Sequence, residues 1–216
     1  MAIEAYGGRV VVVDHPLVQH KLSILRDKDT PPEQFRELVR ELAVLEGSEA
    51  TRDLPLEDVD VQTPLATAHC KRISGKGLAV VPILRAGLGM VDGLLEIVPD
   101  AHVGHLGMYR DEETREPIAY YEKLPRDIAD RQVIVVDPML ATGGSSTAAL
   151  QYLRSRGVSG TIKLMVLVSA PEGIERVLAA DGDAQLYTCA IDDGLDANAY
   201  ILPGLGDAGD RIFGTV

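Results

Sequence analysis

Short apolar runs alternating with stretches of helical period dominate the chain. Arg9–Val13 is a β-branched run closed by Asp14 and Pro16, the signature of a strand. A helix is predicted over Pro16–Arg26. A second helix is predicted from Thr30, where Thr30 and Glu33 fit a capping box and Pro31 suits the first helical position. Phe35, Leu38, Val39, Leu42 and Leu45 then recur at helical spacing, so one face of that helix is buried. These two helices precede the alternating part and are expected to form an outer layer or a subunit contact.

From Leu78 the pattern predicts strands at Leu78–Leu84, Ala101–Met108, Val133–Val136, Ile162–Val168 and Gln185–Ile191. Helices are predicted near Leu88–Ile97, Ser145–Arg156 and Glu172–Ala180. Apolar runs without clean alternation indicate strands covered on both faces. Strands that alternate with helices imply an α/β fold, with a central, mainly parallel sheet and right-handed crossovers. Ligands in such folds bind outside the carboxyl ends of the strands. The polar interval Arg110–Asp130, with Pro117 and Pro125 around its tyrosines, breaks the alternation. It predicts a hairpin or flap: a cover over a site, a plain exposed hairpin, or an oligomer arm.

Neither a repeat nor a linker divides the 216 residues, so a single domain over 1–216 is expected. Asp and Glu number 33 against 21 Lys and Arg, for a formal charge of -12. That balance disfavours a non-specific nucleic-acid binder, which needs a net supply of cations. With seven Tyr, two Phe and no Trp, the core must be built from Val, Leu, Ile and Ala. Cys70 and Cys189 are far apart and lack a C-x-x-C partner, so buried thiols are expected, not a disulfide framework or zinc site. His69, His102 and His105 show no metal-binding spacing. No run of eighteen apolar residues and no signal-peptide layout occurs, so a cytoplasmic protein without a membrane partner is expected.

The strongest chemical signal is VIVVDPMLATGGSSTAAL, Val133–Leu150. It reads as strand, Asp137, a loop with Thr142, Gly143, Gly144 and Ser145, then helix. Backbone N–H groups in a Gly-rich turn and at a helix start form a phosphate cradle. Glycine allows close approach of an anion, and Thr and Ser hydroxyls add donors. Asp137 can accept hydrogen bonds from sugar hydroxyls. The loop is neither a Walker A motif nor G-x-G-x-x-G.

VVPILRAGLGM (Val80–Met90), GMYRDEET (Gly107–Thr114), DPMLATGGS (Asp137–Ser145), APEG (Ala170–Gly173) and AYILPGLGDAGDRIFGT (Ala199–Thr215) together resemble the uracil phosphoribosyltransferases. DHPLVQHKL near Asp14 extends the likeness to nearly the whole chain. The resemblance implies a type I phosphoribosyltransferase-like fold and transfer of a 5-phosphoribosyl group from phosphoribosyl pyrophosphate (PRPP) to uracil. It assigns the ribose and its 5-phosphate to Asp137, Pro138, Met139, Leu140, Ala141, Thr142, Gly143, Gly144 and Ser145. Pyrophosphate goes to Arg85 and Arg110, whose guanidinium groups fork onto phosphate oxygens. Ile201, Gly206, Asp207 and Ala208, in the tail segment 199–215, are implied to hold uracil largely through main-chain groups. Many PRPP-binding enzymes carry acidic residues where this chain has Pro138 and Ala141. Ala141 cannot move a proton.

Catalysis is then positioning plus stabilisation of leaving-group charge, with Arg85, Arg110 and Asp207 as its candidate residues. Mg²⁺ is expected to travel with PRPP, bound mainly by phosphate oxygens. Asp207 is the candidate for a water-mediated contact to that ion or to substrate. The family further implies a homodimer or larger homo-oligomer and, in some members, activation by GTP. The rival readings are transfer to orotate or a purine, and a non-catalytic regulator such as an RNA-binding attenuator. Orotate would need an added cation, which the tail offers only as Arg211, and the acidity weighs against RNA.

Overall fold

The computed structural model describes residues 2–110 and 117–215, with side chains described for 6–108 and 120–215. The chain opens with strands β1 (Ala2–Ala5) and β2 (Val10–Val13), then helices α1 (Pro16–Arg26) and α2 (Pro32–Ala50). A hairpin of β3 (Leu56–Gln62) and β4 (Thr67–Ile73) precedes β5 (Leu78–Leu84) and α3 (Leu88–Ile97). Next come β6 (His102–Val103), β7 (His105–Arg110), β8 (Pro117–Lys123), β9 (Gln132–Val136), β10 (Met139–Leu140) and α4 (Gly144–Ser155). The chain ends with β11 (Ile162–Ser169), α5 (Pro171–Ala180), β12 (Gln185–Ile191), β13 (Gly194–Leu195), β14 (Ile201–Leu202) and α6 (Ala208–Phe213).

The central sheet runs β1-β2-β12-β11-β9-β5-β7-β8. The pairs from β2 to β7 are parallel, and antiparallel β1 and β8 close the two edges. After β5 the chain moves outward to β7 and β8. After β9 it moves the other way, through β11 to β12. The order therefore reverses between β5 and β9, and a crevice opens there outside the carboxyl ends of both strands.

Successive residues on a strand point to opposite faces, and the core divides accordingly. Val80, Ile134, Met165 and Leu167 pack with Phe35, Leu42, Met90 and Leu94 of α2 and α3. Ala79, Val81, Val133, Val135 and Leu164 pack with Leu150, Leu153, Ile174 and Val177 of α4 and α5. The two N-terminal helices are thus a covering layer on one face. Burying a side chain such as Phe35 or Leu42 contributes about 1.5–3 kcal/mol.

Two local expectations change. Thr30 does not cap α2: its hydroxyl donates to the Ile24 carbonyl at 2.6 Å. Pro31 is extended and Pro32 opens the helix, because the residue before a proline is pushed out of the helical region. The strand predicted over Ala101–Met108 is broken at Gly104 into β6 and β7. In the Arg110–Asp130 interval the expected hairpin is formed by antiparallel β7 and β8, paired as far as Arg110↔Pro117. The middle of the interval is β8, laid along β7 as an edge strand from His105↔Lys123 onward, followed by a single 3-10 turn at Ile128–Asp130. Residues 111–116 lie outside the described residues.

Cys189 is buried as expected, Cys70 is half-buried, and both are free thiols. Among the described residues, no helix is long and apolar enough to cross a membrane.

Candidate active site

Strand β9 ends at Val136, and Asp137–Ser145 turns at its tip and runs into the start of α4 at Gly144. The start of this loop is pinned to β11. Asp137 N–H donates to Met165 O at 3.1 Å, and the Pro138 carbonyl accepts from Leu167 and Val168 at 3.0 and 3.1 Å. Met139 and Leu140 then form β10 beside Val168 and Ser169. Gly143 is left-handed, at φ 75°, a conformation costly for any side-chain-bearing residue. The loop and the first residues of α4 enclose a cavity of about 140 Å³ lined by Asp137 and Met139–Ser146. Helix α4 presents its unpaired first-turn N–H groups there, so the wall is a donor surface for an anion.

The beginning of α5 holds the loop from behind. A methyl group built on Gly173 would lie 2.3 Å from the Ala141 carbonyl oxygen, and one on Gly143 would lie 2.8 Å from the Gly173 carbonyl oxygen. Only backbone fits between them. The turn after β5 approaches from the other side: a methyl on Gly87 would be 2.4 Å from Val136 O. This brings Arg85, immediately past β5 and joined to Leu84 by a cis peptide bond, to the rim that carries Asp137.

The C-terminal tail reaches the same rim. After β12 the chain forms the β13–β14 hairpin, with Leu195 opposite Ile201. Arg26 fixes the following turn, donating to both carboxylate oxygens of Asp192 at 2.8 and 2.6 Å and to Gly204 O at 2.7 Å. Asp192 in turn accepts from Gly204 N–H at 2.9 Å. Asp207 caps α6, its Oδ1 accepting from Asp210 N–H at 3.0 Å. Arg85 Nη2 lies 3.3 Å from Asp210 Oδ1, and its guanidinium sits 5.8 Å from the Phe213 ring centre. Ile201 and Ala208 are buried, whereas Gly206 and Asp207 are exposed.

Burial pushes the Asp137 carboxyl up to about 7. The Met139 N–H opposes that rise and the charge of Asp207 adds to it. Loop and tail thus lie within electrostatic reach of each other. Arg211 is not available to a ligand. Its Nη1 donates to Leu25 O and Leu205 O, both at 2.8 Å, its Nη2 donates to Asp27 O, and it stacks 4.3 Å above Phe35. The backbone of Arg110 ends β7 on the same rim, three residues beyond the Leu84↔Gly107 pair; its side chain lies outside those described.

The family model for uracil phosphoribosyltransferase matches residues 12–215. The chain belongs to the uracil phosphoribosyltransferase family. Similar to it is the uracil phosphoribosyltransferase of Agathobacter rectalis, 61% identical over 96% of this chain and 99% of that protein. That of Alkaliphilus oremlandii is 58% identical over the same shares. A solved Aquifex aeolicus protein superposes with a TM-score of 0.89 at 37% identity, covering 94% of this chain and 97% of its own. A hypoxanthine-guanine phosphoribosyltransferase from Bacillus anthracis shares the fold alone, at TM-score 0.51 and 13% identity over 74% and 80% of the two chains.

Among the residues that the uracil phosphoribosyltransferase motifs single out, Arg85, Asp137–Ser145, Ile201 and Gly206–Ala208 lie on one rim of the sheet. Three groups that build the site escaped the sequence reading. Gly173 was visible only as part of APEG, and Gly87 only as part of RAGLG. Arg26 and Asp192, 166 positions apart, carry no motif at all.

Proposed function

We propose that this protein transfers the 5-phosphoribosyl group of PRPP to N1 of uracil, giving UMP and pyrophosphate. The observation that carries the reading is the meeting of three segments at the switch point: the Arg85 turn, the Asp137–Ser145 loop and the 206–208 turn. In this reading the loop amides and the Thr142 and Ser145 hydroxyls take the 5-phosphate, and Asp137 accepts from ribose hydroxyls. Arg85 exchanges its exposed contact with Asp210 for the pyrophosphate, and Arg110 joins it from β7. The tail turn and the Ile201 backbone take uracil, which offers two carbonyl acceptors and N–H donors. A mismatched base leaves buried polar groups unpaired, at about 1–3 kcal/mol each.

The bond from ribose C1 to the pyrophosphate oxygen breaks as that from C1 to N1 forms. The N1 proton passes to solvent or to the departing pyrophosphate, since Ala141 has no group to receive it. The residues here bind, orient and neutralise; they perform no covalent step. Mg²⁺ is part of the proposal. Among the described residues no three His, Cys, Asp or Glu side chains gather as a metal cluster, while the carboxylates of Asp137 and Asp207 suit a hard cation carried in by substrate oxygens. When bound, it offsets the repulsion between a polyanion and an acidic protein.

The commitment of Arg211 to main-chain carbonyls favours uracil over orotate, whose carboxylate would need a free cation. Incubating the protein with PRPP, Mg²⁺ and uracil, orotate, cytosine or hypoxanthine in separate reactions tests the assignment. UMP from uracil alone is expected, and a nucleotide from another base, or from none, overturns it. A cytoplasmic homodimer or larger assembly and activation by GTP belong to the same reading and rest on the family resemblance. Sedimentation of the protein and initial rates with and without GTP test the last two.

A further inference from the structure

The loop Asp137–Ser145 contains no cation and one carboxylate, although a phosphate dianion must settle on it. One arginine outside the loop reaches it. Arg176 lies on α5, and its side chain crosses the loop: a methyl on Gly143 would sit 3.3 Å from Arg176 Cβ. Its guanidinium ends beside Gly144, the first residue of α4. A methyl built there would lie 3.7 Å from Arg176 Nη1, 4.0 Å from Cζ and 3.7 Å from Thr142 Oγ1. Guanidinium and hydroxyl therefore flank the same glycine, which lines the cavity with Thr142 while Arg176 stands just behind that lining.

The guanidinium is uncommitted. Among the described residues it forms no hydrogen bond or ion pair, in contrast to Arg26 and Arg211, whose donors are taken by carbonyls and a carboxylate. Glu172, one helical turn earlier and correctly spaced for a pair, instead accepts from Leu195 N–H at 3.3 Å. The backbone contact at Gly173 fixes α5 against the loop, so Arg176 is carried on a rigid support. We propose that Arg176 is a further substrate-binding residue, whose guanidinium contacts the 5-phosphate of PRPP and of UMP at the start of α4. The proposal rests on the reading that this loop holds the 5-phosphate. It supplies the fixed positive charge that the loop lacks, from a group whose parallel N–H donors can fork onto phosphate oxygens.

Calorimetric titration of wild type, Arg176→Ala, Arg176→Lys and Thr142→Val with ribose 5-phosphate, UMP and pyrophosphate separates the outcomes. Arg176→Ala is expected to weaken ribose 5-phosphate and UMP about tenfold, equivalent to about 1.4 kcal/mol. Pyrophosphate binding should stay within twofold and the melting temperature should not move. In steady state the KM for PRPP should rise with kcat retained, and Arg176→Lys should recover part of the loss. Should Arg176→Ala bind ribose 5-phosphate like wild type while Thr142→Val does not, Arg176 is a surface cation and the loop reading survives. Equal weakening of pyrophosphate would place Arg176 on the other phosphate and overturn the proposal. Failure of wild type to bind ribose 5-phosphate would overturn the loop assignment and the proposal with it.

Discussion

Replacing Gly143 by alanine probes the loop at the point where backbone meets backbone. Two costs are predicted. Forcing a Cβ onto a residue at φ 75° costs about 1–2 kcal/mol. The new methyl would also meet the Gly173 carbonyl oxygen at 2.8 Å, and relieving overpacking by shifting backbone costs about 1–3 kcal/mol. The sum is about 3 kcal/mol, which at about 2–4 °C per kcal/mol for a chain of this size lowers Tm by about 6–12 °C. Two controls isolate the terms. Gly75 has φ +77° but nothing within 4 Å of a built methyl, and Gly160 has open space and no positive φ. Gly75→Ala should lose only the backbone share, about 2–8 °C, and Gly160→Ala should melt with wild type. Because relief in Gly143→Ala must move either the loop or α5, the KM for PRPP should rise as well. Thermal unfolding and PRPP saturation curves measure both effects. A Gly143→Ala protein that melts with Gly75→Ala and keeps the wild-type KM would refute the claim that α5 clamps the loop.

Other consequences follow from charge and burial. The unfolded Asp137 carboxyl ionises near 3.8, while the folded one keeps its proton to about 7, so its contribution to stability falls as pH rises through that window and is level above it. Asp137→Asn should flatten that slope in Tm against pH. Ribose hydroxyls favour the ionised acceptor, so PRPP affinity should strengthen from pH 6 to 8 in wild type and not in the variant, as titration calorimetry would record. Arg26→Ala strands the Asp192 carboxylate, whose side chain is only 4% exposed, and should cost about 3 kcal/mol in urea unfolding. It should also raise the KM for uracil, with an unchanged uracil KM counting against the role given to this pair. Glu46, wholly buried on α2 with both carboxylate oxygens lacking a well-formed hydrogen bond, has its pKa raised far above the ordinary 4.5 by burial. Stability is then lost as pH rises past the unfolded value, so Glu46→Leu should raise Tm, and more at pH 8 than at pH 5.

The readable parts of the fold were those whose pattern one physical cause dominates. The limits of α1, β5, α3 and β12 are those of the apolar runs and breakers, because each element is bounded by proline, glycine or charge and buries at least one face in the core. The β3–β4 hairpin was not read. Neither of its faces joins the core, and its pairing uses charge, as in Asp58 with Lys71 at 2.5 Å, so its alternation is short, with only Val59 and Val61 facing Cys70 and Ala68. Helix α6 and the β13–β14 hairpin were hidden for another reason. They are short and held by long-range partners, Arg26 among them, and local sequence does not encode a contact 166 positions away. The loop proposed for phosphate was legible because its chemistry is local: one strand end, two glycines, two hydroxyls and a helix start. The clamp behind it was not, since Gly173 acts through an atom it lacks.

That clamp also links the two halves of the site. Glu172, Gly173 and Arg176 span little more than one helical turn. Within it, Glu172 accepts from Leu195 N–H, opposite Ile201 on the hairpin, and Gly173 abuts Ala141 O in the loop. The strands that carry loop, helix and hairpin are neighbours in one parallel sheet, so their tips keep a fixed spacing. A transfer in which the protein contributes position instead of a covalent step depends on that spacing, because small misplacements of reacting atoms forfeit large factors in rate. In the proposed reaction the first turn of α5 therefore sets the distance between the loop that takes the phosphate and the tail that takes the base, although no side chain in it takes part in bond making.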